Sequence, residues 1–134
     1  MLRKWPVIMA AAALLSACQA ISPIFVDYNG VRRDVAEWIN GQTLLTMQQK
    51  RSLAQLSRAE QALAHAENSS ENDAKLALAK TRQSALHCAR LHVSEAKITQ
   101  LQQQVWGAER ERLLQYYAQQ FPRIKLDANS IKCD

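Results

Sequence analysis

The stretch LTMQQKRSLAQLSRAEQALAHAE, residues 45–67, decides the fold class of this chain. Thr46 is followed three residues later by Gln49, which is the pattern of a capping box at a helix start. Apolar residues then recur at the spacing of one helical face, so the stretch predicts an amphipathic helix. The side chains expected on its buried face are Leu53, Leu56, Ala59, Leu63 and Ala66.

The rest of the chain is also rich in helix formers, and it contains only three Gly and three Pro. A first helix is expected over residues 26–39, closed by Asn40 and Gly41. The polar cluster 68–73 should end the second helix and supply the next cap. A long helix should follow over residues 74–120, stopped by Pro122. We therefore predict an all-α fold, a small helical bundle or hairpin with one long C-terminal helix.

The long helix carries a partial heptad pattern. Leu91, Ile98 and Val105 recur every seven residues, with Leu101 and Ala108 beside them. This is enough for packing along a partner helix, but it is too few heptads for a coiled coil. The tail from residue 123 to residue 134 is expected to be irregular.

The N-terminus has the features of a targeting signal. Arg3 and Lys4 precede an apolar run over residues 5–15, which is shorter than the ~20 residues that a membrane span needs. The residues Leu15-Ser16-Ala17-Cys18 follow, and they resemble the lipobox of bacterial lipoproteins. The resemblance implies that residues 1–17 are a cleaved signal peptide and that Cys18 carries a covalent lipid; we expect no other cofactor. Residues 18–24 would then be the lipidated cysteine with a short tether, and residues 25–134 a single helical domain.

The residue after Cys18 indicates which membrane the lipoprotein is expected to occupy. Gln19 stands there, rather than the Asp that commonly retains such lipoproteins at the inner membrane. The expected location is therefore the periplasmic face of the outer membrane, with the inner membrane as the alternative. Because several acyl chains anchor almost permanently, the membrane is one expected partner.

Charge argues against nucleic acid as a partner. Without Arg3 and Lys4, 15 basic residues stand against 12 acidic ones, a net charge of +3 for the 117 remaining residues. The two signs are interspersed along the chain, which is typical of solvated helix faces rather than of a basic stripe.

Two cysteines remain once Cys18 is lipidated. In an oxidising compartment Cys88 and Cys133 would pair as a disulfide, with free thiols or an intermolecular bond as alternatives. An unbroken helix would separate residues 88 and 121 by about 50 Å, whereas the chain from there to Cys133 spans at most about 40 Å. The bond therefore requires either a bend, for which Gly107 is the candidate, or a tail that runs back extended.

Chemistry-bearing residues show no catalytic pattern. Cys88 and His92 share a helical face beside His87, but two ligands do not make a zinc site. His65 has no nucleophile partner in the sequence, and no Gly-rich phosphate loop is present. We expect neither an enzyme nor a small-molecule substrate.

Apolar side chains crowd the end of the predicted long helix. A straight helix over residues 74–120 would be about 70 Å long, and the helix before it covers about 30 Å. Such an unpartnered group predicts a protein-binding surface or self-association. The alternative is that a bend at Gly107 folds the group into the core. The residues assigned to the surface are Trp106, Leu113, Tyr116 and Tyr117.

Two family resemblances rest on short motifs. Tyr28-Asn29, Trp38-Ile39-Asn40 and Leu45-Thr46 resemble the N-terminal pattern of a small proteobacterial lipoprotein family of unknown function, which has Asp where this chain has Asn40. The run from Leu45 to Gln49 is similar to the Leu-Thr-x-x-Gln motif of Spy-type periplasmic chaperones. The permanent anchor and the short tether favour protein binding as an accessory or structural component of an envelope assembly, which is the expected function. The alternative, favoured by the basic charge and the Leu-Thr-x-x-Gln motif, is chaperone-like binding of unfolded periplasmic proteins.

Overall fold

Five α-helices make up the part of the chain that the computed structural model describes, residues 29–68 and 71–134. The all-α prediction is confirmed. The predicted signal peptide, Cys18 and the predicted tether lie outside the described residues. Short 3-10 turns occur at Ala66–Asn68, Gly107–Glu109 and Ala128–Ser130. The helices are α1 (Arg33–Asn40), α2 (Met47–His65), α3 (Asn72–His92), α4 (Glu95–Trp106) and α5 (Arg110–Gln120).

The start of α2 confirms the predicted capping box. The Thr46 hydroxyl accepts a hydrogen bond from the Gln49 backbone N–H at 3.2 Å. The Gln49 side-chain oxygen accepts one from the Thr46 N–H at 2.8 Å. The predicted apolar face is buried except for Ala66, which is half-buried against the core.

Helix α1 is shorter than predicted because it begins at Arg33. Residues 26–28 lie outside the described residues, and Gly30 has a φ of +82°, which interrupts any helix that would enter from them. Gly41 ends α1 as predicted, although its φ of −70° is right-handed rather than the left-handed value of the usual Gly cap.

The predicted long C-terminal helix is present over residues 95–120, bent at Gly107, but it does not extend back to residue 74, because the chain also breaks at residue 93. Val93 is extended, and the Ser94 hydroxyl accepts a hydrogen bond from the Lys97 N–H at 3.1 Å to start α4. This first break was not predicted. The second break is at Gly107, as predicted, where φ is +58°.

The heptad and cap expectations are met only in part. Ile98, Leu101 and Val105 are buried, but Leu91 is exposed beside the first break and Ala108 is exposed after the second. Helix α3 begins after Glu71, whose side chain makes no capping hydrogen bond. The polar cluster therefore ends α2 without capping α3 through a side chain.

Helix α2 is the central element. The Gln49 side chain donates to the His92 carbonyl at 2.9 Å, which places the start of α2 beside the end of α3, so the two helices are antiparallel. Helix α4 runs in the direction of α2, since Lys97 bonds Gln42 and Trp106 bonds the Glu60 carbonyl. None of the helices in the described ranges is long and apolar enough to cross a membrane.

Helix α5 crosses the far end of the bundle. The Tyr116 hydroxyl donates to the Ala66 carbonyl at 3.2 Å, and the Lys75 ammonium lies 5.9 Å from the Phe121 ring centre. The helix therefore passes from the end of α2 to the start of α3. The tail then returns along the bundle to Cys133, irregular as predicted apart from its 3-10 turn.

Candidate functional site

A buried ion pair occupies the centre of the bundle. Arg82 Nε donates to Glu60 Oε1 at 2.5 Å and Arg82 Nη2 to Glu60 Oε2 at 3.1 Å. Gln102 Nε2 adds a third bond to Glu60 Oε2 at 2.8 Å. The side chains of Arg82 and Glu60 are 5% and 0% exposed. Because a buried carboxylate needs such partners, the three side chains join α2, α3 and α4.

Aromatic rings enclose the guanidinium of this pair. The Arg82 Cζ lies 4.4 Å from the Tyr117 ring centre and 5.9 Å from that of Trp106. Trp106 Nε1 donates to the Glu60 backbone carbonyl at 2.8 Å, and Gln83 Nε2 donates to the Tyr117 hydroxyl at 3.0 Å. The polar atoms of the cluster are therefore engaged with one another, and the arrangement stabilises the packing of four helices.

The sequence reasoning missed this cluster. The interspersed charges predict that Glu60 and Arg82 lie on solvated helix faces, and this prediction is wrong because both side chains are buried. The available signal was position, because Glu60 lies four residues after Leu56 and three before Leu63, on the apolar face of α2. A charged residue at such a position requires a buried partner.

The residues assigned to protein binding lie in the core. Trp106 and Leu113 are buried, and Tyr116 and Tyr117 are half-buried against Phe121. The expectation that they form an exposed apolar group is wrong, because the bend at Gly107 turns α5 back onto α2 and α3. The structure brings Trp106 and Tyr117 together around Arg82, so their packing roles are internal.

Cys88 and Cys133 form a disulfide with their Cα atoms 5.6 Å apart. The returning tail contributes to it as proposed, but the chain reverses at Val93 rather than at Gly107, and the bend at Gly107 leaves Phe121 beside Lys75 at the start of α3. The tail is also held by Gln55, which donates to the Lys132 carbonyl at 3.1 Å and accepts from the Asp134 N–H at 3.1 Å. The disulfide removes the Cys88 thiol from the metal hypothesis. The described residues contain no group of three or more His, Cys, Asp or Glu side chains that could hold a metal ion.

Both ends of the described fold meet at Arg58. Its guanidinium pairs with Asp134 and donates to the Asn29 carbonyl at 3.4 Å. The chain that leads back towards Cys18 therefore leaves the body beside the disulfide-bonded tail.

Arg32 holds the first turn of α1 against α4. Its guanidinium donates to the Val105 carbonyl at 3.1 Å and to the Gln104 carbonyl at 2.9 Å, and it pairs with Asp34 at 2.5 Å. The hydrogen bond from Arg32 lowers the pKa of Asp34 below its usual value and raises the pKa of Arg32. Both side chains are largely exposed to solvent, so this ion pair contributes only to the local structure at the start of α1.

Three exposed apolar side chains lie at the same end of the bundle. We call this end the apolar tip. Leu44 is 97% exposed, Leu91 is 61% exposed and Met47 is 39% exposed. The bonds of Gln49 to His92 and of Lys97 to Gln42 hold the α1–α2 loop and the α3–α4 turn at this end.

The open cavities elsewhere on the described surface include two of similar volume. One, of about 470 Å³, lies between the start of α3 and the end of α5, and we call it the α3–α5 cavity. Its lining includes Lys75, Leu76, Phe121 and Pro122. The other, of about 430 Å³, lies between the start of α1 and the end of α2 and is lined partly by Arg32, Gln61 and His65. Neither groups residues in a nucleophile and base arrangement.

No protein-family model, curated protein or solved structure matches this chain.

Proposed function

We propose that this protein is a lipid-anchored periplasmic protein that acts by binding other proteins, as an accessory or structural component of an envelope assembly. The observation that carries the proposal is that the central polar cluster and the two described cysteines are engaged inside the body. Glu60 and Arg82 neutralise each other, and Cys88 and Cys133 are bonded. The outer surface of the body remains available for contact with other proteins. The lipid predicted on Cys18 would hold that surface near one membrane.

The α3–α5 cavity supports protein contact. Leu76 is partly exposed there, and the cavity is also lined by Phe121, Pro122, Asp73 and Lys75. An apolar group with charged residues around it is the usual composition of a protein-binding surface. We assign this cavity to the partner protein, in place of Trp106, Leu113, Tyr116 and Tyr117.

The test is photo-crosslinking in intact cells from a benzophenone amino acid at position 76. A single crosslinked protein in constant ratio to the lipoprotein is the expected result. A matched probe at the exposed Gln103 of α4 should give no such product. If position 76 gives no protein product, or no more than position 103 gives, the proposal is wrong.

The same experiment tests the chaperone alternative. Many products of varying mass would indicate binding of unfolded clients. The motif from Leu45 to Gln49 gives that alternative little support, because its Thr and Gln form the capping box of α2. The remaining similarity is the small, basic, helical character of the chain.

A further inference from the structure

We propose that the apolar tip rests on the membrane that carries the lipid, with Leu44 inserted among the phospholipid headgroups. The proposal deepens the one above and depends on its lipid anchor. Its first support is exposure, because Leu44 is 97% exposed in a loop that is tied to α4 by the bond from Lys97 to Gln42. A leucine presented on an ordered loop is stabilised when a contacting surface removes it from water.

The chemistry around Leu44 fits a lipid interface. Residues 41–49 contain no charged side chain, so the loop can enter the headgroup layer without burying a charge. Cations follow immediately at the edge of the tip, where Arg51 and Arg90 are exposed. Apolar residues with basic neighbours are typical of segments that lie at a membrane surface.

The two ends of the bundle differ in charge. At the apolar tip Arg51, Arg90 and Lys97 outnumber the acidic Glu37 and Glu95, whereas Lys50 is buried with its ammonium bonded to the Asn40 carbonyl. At the end crossed by α5, five acidic residues stand against four basic ones. Anionic phosphates therefore attract the tip more than the opposite end. The residues of that opposite end are Glu67, Glu71, Asp73, Glu109 and Glu111, with Lys75, Arg110, Arg112 and Arg123.

The chain between Cys18 and the described body is long enough for this orientation. The described chain starts at Asn29, bonded to Arg58, which lies 11 residues along α2 from Met47, or about 16 Å. The 11 residues from Cys18 to Asn29 span up to about 36 Å when extended. A lipid on Cys18 would therefore keep the membrane within reach of the tip at high effective concentration. The α3–α5 cavity would then face away from the bilayer.

The experiment uses the full lipoprotein in its own membranes, with the benzophenone probe at position 44 or, as the control, at position 76. Because Leu44 is exposed, this replacement leaves the core intact. Phospholipid adducts, identified by mass, should be at least tenfold more abundant at position 44. Adducts to protein alone at position 44, the absence of lipid adducts there, or equal lipid labelling at position 76 would overturn the proposal.

A second measurement distinguishes failure of the contact between the apolar tip and the membrane from failure of the lipid anchor. Palmitate incorporation and the membrane-bound fraction are measured on the same samples. Lipidated, membrane-bound protein without lipid adducts at position 44 would refute the docking of the tip and leave the anchor intact. Unlipidated protein in the soluble fraction would refute the anchor itself. The Leu44→Asp variant should lower labelling by a lipid-phase photoreagent several-fold, whereas Leu76→Asp should not.

Discussion

Arg82 of α3 pairs with Glu60 of α2 in the centre of the bundle, with 5% and 0% of their side chains exposed. The pair spans 22 positions in the sequence, and Gln102 of α4 completes the shell of the carboxylate. One interaction therefore sets the relative positions of three helices.

We expect Arg82→Met to lower the free energy of unfolding by about 3–5 kcal/mol, because it leaves the Glu60 carboxylate buried without its cation. Urea denaturation followed by circular dichroism measures the change. The control is Arg33→Met, which breaks the exposed pair with Glu37 and should cost less than about 0.5 kcal/mol. Equal effects of the two changes would contradict the role assigned to the buried pair.

Gly107 occupies a backbone conformation that favours glycine, with φ of +58° and ψ of −132°. Gly107→Ala should destabilise the fold by about 1–3 kcal/mol through backbone strain, although no atom lies within 4 Å of the added Cβ. Gly41→Ala is the matched control, since its φ of −70° suits alanine. The midpoint of thermal unfolding should fall for the first variant and change little for the second. A larger fall of the midpoint for Gly41→Ala than for Gly107→Ala would refute the backbone strain at the bend.

The Cys88–Cys133 bond closes a loop of 45 residues. Its loss in Cys133→Ala should cost about 3–4 kcal/mol, chiefly because the unfolded chain regains conformational freedom. Guanidinium unfolding of the variant, compared with the oxidised protein, measures this. Mass spectrometry without reduction should first identify the linked peptides. If both cysteines react with an alkylating reagent in denatured, unreduced protein, the bond does not form.

Substitutions at Trp106 and Leu113 test whether these side chains belong to the core or to an exposed binding surface. Because both side chains are buried, Trp106→Ala should cost about 3–5 kcal/mol and Leu113→Ala about 2–5 kcal/mol. Loss of helical signal on mild heating, with no specific loss of assembly in sedimentation, is the expected result. Weakened assembly with unchanged stability would restore the exposed-surface interpretation.

Cys18→Ala should release the protein from membranes, since it removes the predicted attachment point of the lipid. Labelled palmitate should enter the original protein and not the variant, and cell fractionation should find the variant in the soluble periplasm. Absence of label in the original protein would contradict the lipoprotein interpretation.

Local signals accounted for what was correctly predicted about the fold. Thr46 and Gln49 marked the start of α2 because a capping box involves only four consecutive residues. Gly107 marked a bend because its flexibility is its own property, and the two cysteines were paired by elimination. The break at Val93 and Ser94 also has a local signal, since Ser is a favoured cap and Val a poor helix former, but it is too common a signal to end a helix by itself.

The sequence alone determined the all-α class, the start of α2 and which two cysteines could pair, because each depends on neighbouring residues or on a count. The tertiary structure decided which polar residues are buried and which apolar residues are exposed. Glu60 is buried and Leu91 exposed because α3 and α4 turn at residue 93 and α5 turns back at Gly107. Burial depends on contacts between residues far apart in the chain, and helical spacing determines only which residues share a face, not what that face meets.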